Sequence, residues 1–171
     1  YVGGLIGVSN AGTYTGCSVI GTISSASPQC GMIGYINPGS GDCTITSCYV
    51  DANITSASYG GGVVGSVTSG TTNITNCVCR GTITGGTHNG GIVGSRVNNG
   101  VININNCVAL QTSIPTGSRI CQLAAGTLVN NYAHSGMLVS GSAVTSTDAT
   151  SPDGEDVSAE IFNTRSWWES A

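Results

Sequence analysis

Lysine is absent from the 171 residues, only four arginines are present, and charged residues make up 7% of the chain. With a formal net charge of −4 there is no basic surface to hold a phosphate backbone, so nucleic acid is not an expected partner. Aromatic residues are as scarce, at 5% with a single phenylalanine, and no run of about 20 apolar residues occurs, so no membrane span is expected. Two histidines and no Cys-x-x-Cys pair leave little from which to build a zinc site.

Glycine, serine, threonine and asparagine are abundant instead, supplying 83 of the 171 residues. The β-branched residues that recur among them set the chain apart from disordered sequences, so it is expected to fold as one domain. Eight cysteines fit an oxidising compartment and hence an extracellular or cell-surface location. Two N-glycosylation sequons, at Asn53 and Asn73, point the same way. The sequence opens at Tyr1 with no initiator methionine, as expected of a mature product, a cut fragment or part of a longer chain.

The chain repeats itself. Gly3-Gly4-Leu5-Ile6-Gly7 matches Cys30-Gly31-Met32-Ile33-Gly34, Gly61-Gly62-Val63-Val64-Gly65 and Gly90-Gly91-Ile92-Val93-Gly94, with a degraded fifth copy at Ile120-Cys121-Gln122-Leu123-Ala124. A second marker follows each copy: Gly16-Cys17, Ser47-Cys48, Asn76-Cys77, Asn106-Cys107 and Asn130-Asn131. Its cysteines step by 31, 29 and 30 residues, so two independent markers share a period of about 30.

Within each repeat the apolar spacing is two, as in Cys48, Val50, Ala52 and Ile54 or Cys77, Cys79, Gly81 and Ile83, which is the strand period. A unit this short cannot bury its apolar side alone, whereas units stacked at about 4.8 Å share a continuous core. The expected fold is all-β: a right-handed parallel β-solenoid of about five coils over residues 1–147. An acidic C-terminal cap with a short helix and a Trp-containing end, residues 148–171, follows it. Such a rod is roughly 25 Å long.

Stacking places Cys17, Cys48, Cys77 and Cys107 in one inward row at a spacing that suits either packed thiols or disulfides between successive coils. Cys30, Cys43, Cys79 and Cys121 lie outside that row as further disulfide candidates. Asn76, Asn106 and Asn130 fall at one corner, where stacked amides suit an axial ladder rather than a catalytic cluster.

On the glycine motif, Asn76-Cys77 and Gly81-Thr82-Ile83, the sequence resembles the GLUG-motif repeats of bacterial surface proteins, including surface-anchored IgA-cleaving metallopeptidases and large adhesins. The resemblance covers residues 1–140 and implies an extracellular repetitive module without chemistry of its own. It also implies an array end made of a helical stretch at 156–162 and a Trp-containing strand, with Phe162, Trp167 and Trp168 covering the last coil.

Candidate chemistry is sparse. Asp42 and Asp51 are the only body carboxylates for a glycosidase pair, and nothing in their spacing makes them converge. His88 and His134 stand alone in loop-like contexts. Asp153-Gly154-Glu155-Asp156 suits a calcium ion, although a solvated acidic turn is the preferred reading. No catalysis, cofactor or metal is therefore expected. The outward threonines Thr22, Thr44, Thr46, Thr55, Thr75, Thr82 and Thr84 raise an ice-binding reading, which Tyr49, Asp51, Asn53 and Arg80 interrupt.

An open solenoid end is a template for further strands. Tyr1-Val2 leads straight into the glycine motif with no capping material. The expected function is an extracellular structural or adhesive module, a stalk or filament subunit joined through its solenoid ends or continued covalently by further repeats. The alternative is a carbohydrate-binding surface module using Tyr14, Tyr35, Tyr49, Tyr59 and Tyr132.

Overall fold

In the computed structural model, which describes residues 1–39 and 41–169, the period-two stretches are strands and the 30-residue period is one turn of a β-solenoid of about five coils. Coil one contains β1 (Val2–Ser9), β2 (Gly12–Thr15) and β3 (Ser18–Ser24), and coil two contains β4 (Gln29–Ile36), β5 (Asp42–Thr46) and β6 (Tyr49–Ser56). Coil three contains β7 (Tyr59–Gly61), β8 (Val64–Val67), β9 (Thr71–Thr75) and β10 (Val78–Gly85). Coil four contains β11 (His88–Gly90), β12 (Val93–Arg96), β13 (Val101–Asn105), β14 (Val108–Ala109) and β15 (Ser113–Ile114). Coil five has β16 (Gly117–Ser118), β17 (Leu128–Val129) and β18 (Tyr132–His134). After it come β19 (Leu138–Val139), β20 (Ser142–Ala143), β21 (Glu155–Val157), α1 (Ala159–Phe162) and α2 (Arg165–Trp168).

Like strands stack in parallel into three walls. The first wall carries the glycine motif, the second runs β2-β5-β9-β13-β17, and the third runs β3-β6-β10-β14-β18-β21. Alternation then decides what is buried. Ile45, Ile74 and Ile104 form one inward column in exact register and are fully buried, while their neighbours Thr44, Asn73 and Asn103 face outward. Ile23, Ile54 and Ile83 do the same on the third wall. Each such side chain contributes about 1.5–3 kcal/mol on burial, and the columns make one core along the axis.

Between the second and third walls the chain turns through one left-handed residue per coil: Gly16, Ser47, Asn76, Asn106 and Asn130, with φ from 51° to 65°. Glycine and asparagine tolerate that conformation best, which explains the residue types in this row. The ladder continues through the corner, because Ser47 N donates to Thr75 O at 3.0 Å and Asn76 N to Asn105 O at 3.1 Å.

The second glycine of the motif is set by close approach. A Cβ on Gly62 would lie 2.4 Å from Gly91 O and 2.6 Å from Cys79 Sγ. The expected fifth copy of the motif is corrected by two residues: Gly90 pairs with Ser118 and Val93 with Cys121, so the copy is Ser118-Arg119-Ile120-Cys121-Gln122. A shift of two leaves the same residues facing inward, so apolar pattern alone does not distinguish the registers. Arg119 thus occupies the second-glycine position.

The C-terminal end differs from the expected helix and strand. Asp156 and Val157 belong to β21, which pairs in parallel with β18, and the helix starts only at Ala159. Trp167 and Trp168 lie in helix α2 rather than in a strand. The side chain of Phe162 lies outside the described residues.

Candidate functional site

The two ends of the solenoid are built differently. Residues 148–157 lie across coil five as a partial sixth layer: Ile120 N and Cys121 N donate to Pro152 O, and Asn131 N donates to Ala149 O. Arg119, fully buried, holds this layer. Its Nε donates to Asp153 O at 2.8 Å, Nη2 to Gly154 O at 2.9 Å, and Nη1 to the Asp156 carboxylate at 2.6 Å and His134 O at 3.4 Å. A buried guanidinium is tolerable only when its donors are satisfied in this way. Asn131 ends the cysteine row, accepting from Cys107 N at 3.1 Å and donating to Ile104 O at 2.8 Å. Neither role was visible in the sequence; an arginine where other coils carry glycine is the signal, once the register is known.

Among the described residues coil one has no such layer. Tyr1, Leu5 and Val8 are exposed, and Cys17 is only half-buried whereas Cys48, Cys77 and Cys107 are buried; Ile20, 74% exposed, faces outward in register with Asp51.

All eight cysteines are free thiols. The row points inward as expected, and each sulfur donates to the carbonyl two residues earlier: Cys48 to Thr46 O at 3.4 Å, Cys77 to Thr75 O at 3.4 Å and Cys107 to Asn105 O at 3.3 Å. Cys30, Cys43, Cys79 and Cys121 are buried elsewhere in the core. Burial pushes the Cys48 thiol up to about 11 and that of Cys121 to about 12. Cys107 is likewise raised by burial, while its hydrogen bond to Cys77 draws the Cys77 thiol down.

The other candidate residues stay apart. Asp42 lies on the second wall and Asp51 on the third, where Asp51 pairs with Arg80 at 3.5 Å. His88 stacks on Tyr59 with ring centres 5.0 Å apart. The acidic run at 153–156 is turned toward Arg119: Asp153 Oδ1 accepts from Arg119 N at 3.0 Å and Asp156 from Arg119 Nη1. Among the described residues no three His, Cys, Asp or Glu side chains are grouped to hold a metal ion. Asn53 is exposed and accepts from Thr82, and Asn73 is half-buried and accepts from Asn103 Nδ2 at 2.8 Å. No described helix is long and apolar enough to cross a membrane.

The tyrosines form no continuous strip. Tyr14 bonds Ser9, Tyr49 bonds Asp51, Tyr35 stacks on Tyr1, and register places Val78 and Val108 between Tyr49 and Tyr132. Over these valines, α2 folds back onto the outside of the third wall. There it borders a cleft, open to solvent on one side, of about 290 Å³ lined by Asn76, Val78, Asn106, Val108, Tyr132 and Trp168. The tryptophans therefore flank this wall, and residues 148–157 are what cover the end of coil five.

No protein-family model, curated protein or solved structure matches the chain.

Proposed function

We propose that the chain is an extracellular structural module of an adhesive or stalk-type protein, the closing end of a longer β-solenoid, with no catalytic role. The observation that carries this reading is the contrast between the ends. One is sealed by a layer bonded to buried Arg119, and the other leaves Leu5 and Val8 exposed and the inward Cys17 only half-buried beside a complete copy of the repeat. An exposed strand edge with apolar residues is a template for another coil. A preceding coil of the same polypeptide fits it best, because head-to-tail addition of a second copy would have to displace the layer at 148–157. The scattered acids and histidines and the resemblance to GLUG-type repeats support the same reading.

Antibody raised against the chain, applied to intact source cells, tests the location, and electron microscopy of the captured polypeptide tests the shape. Surface labelling and rods longer than the roughly 25 Å of five coils are expected. An intracellular protein of five-coil length contradicts the reading.

A further inference from the structure

We propose that the cleft between α2 and the third wall binds a single neutral hexopyranose unit. This goes beyond the structural role and does not depend on it.

The size is the first argument. About 290 Å³ lies at the small end of ligand sites, where one sugar ring rather than an extended chain is accommodated. The lining is the second. Trp168 and Tyr132 supply aromatic surface of the kind that packs on the C–H face of a pyranose, with Val78 and Val108 as apolar floor. Asn76 and Asn106 supply the polar component. Each amide offers both donors and an acceptor, matching hydroxyl groups that do both, and neither amide is hydrogen-bonded to another described residue.

Placement is the third argument. Asn76 and Asn106 occupy successive left-handed corners with φ 55° and 53°, fixed by Asn76 N to Asn105 O at 3.1 Å and Asn106 N to Val129 O at 3.0 Å. Their amides therefore recur one strand spacing apart, about 4.8 Å, on a rigid wall. Trp168 is held edge-on by Trp167 at 4.8 Å, and Trp167 packs on Tyr132 at 5.2 Å. Little ordering is left to be done on binding, which lowers its cost. Charge is the fourth argument. None of the six lining residues is an acid or a base of the Asp, Glu, Lys, Arg or His type, so an anionic sugar or a phosphate finds no counter-charge.

Tryptophan fluorescence and saturation-transfer NMR on the intact chain test the proposal with methyl β-D-glucopyranoside, methyl β-D-galactopyranoside, methyl α-D-mannopyranoside and, as charged control, glucuronate. At least one methyl hexoside is expected to saturate with Kd of about 1 mM. Binding should weaken about tenfold or more in Trp168→Ala and in Asn106→Ala, whereas Trp168→Phe, which keeps a stacking face, retains most of it. Thr22→Ala, on coil one, should leave binding unchanged, and circular dichroism verifies the fold of every variant. Absence of saturation by all three hexosides, unchanged binding in Trp168→Ala, or glucuronate binding as well as the hexosides overturns the proposal.

Discussion

Arg119 places Nη1 2.6 Å from the Asp156 carboxylate, reaching from a position that is glycine in coils three and four to the layer that closes the solenoid. In those coils any side chain would strike the next coil, but at the last coil the space is filled by an arginine whose partners in the closing layer lie 34 to 37 residues onward. The same register position that demands glycine inside the stack therefore carries the residue that ends it.

Removing that side chain should release the closing layer. Arg119→Met leaves the carbonyls of Asp153 and Gly154 and the Asp156 carboxylate without their donor, a loss of about 3 kcal/mol in urea unfolding. Asp156 is 45% exposed, so Asp156→Asn should cost less, about 1 kcal/mol. Hydrogen exchange at 148–157 should accelerate in Arg119→Met while β5 and β9 keep their protection. Equal loss of protection in all coils would show that the layer is not a separate unit.

Two glycine substitutions should act in opposite directions. Gly62→Ala puts a Cβ 2.4 Å from Gly91 O and should destabilise by about 2 kcal/mol. Gly16 has φ of 65° with nothing within 4 Å of an added Cβ, at the corner where other coils use asparagine. Gly16→Asn should be neutral or stabilise by about 0.5 kcal/mol. A destabilised Gly16→Asn, with thermal melting as readout, would contradict the assigned register of coil one.

Thiol labelling reports the packing of the cysteine row. Under native conditions Cys17 alone should react readily with iodoacetamide, because it is half-buried and the other seven are buried. In denaturant without reductant, mass spectrometry should count eight adducts. Fewer would mean that coils are joined by a disulfide.

Alkali should destabilise the fold through the same residues. Burial favours the neutral thiol, so the folded state retains protons at Cys48 and Cys121 up to about 11 and about 12, whereas the unfolded chain releases them near the ordinary 9.0. Above pH 9 the folded state therefore binds more protons than the unfolded state, and stability falls as pH rises. The urea midpoint should drop steadily between pH 9 and 11, with a shallower drop in Cys121→Ala. A midpoint that does not move between pH 9 and 11 would contradict the burial of these thiols.

The repeat was legible because it is local and periodic: Asn76-Cys77 and Asn106-Cys107 show both the left-handed corner and the inward row without knowledge of any distant contact. The closing layer was not legible. Arg119 meets Asp153 and Asp156 only through folding, and Leu123 offered an apolar match in a register two residues away from the observed one. The cleft was hidden for a related reason. Val78, Val108 and Tyr132 could be placed in one outward column by counting, but the return of Trp168 onto them is set by packing between rings of residues far apart in the chain.

Residue-resolved amide hydrogen exchange on the chain alone in dilute solution tests most directly that the coils are stacked, sealed at one end and open at the other. Protection should be lowest in coil one, over Val2–Ser24, highest in coils two to four, and retained in coil five beneath residues 148–157. Coil-one amides as protected as those of β9, or fraying that begins at coil five, would contradict it.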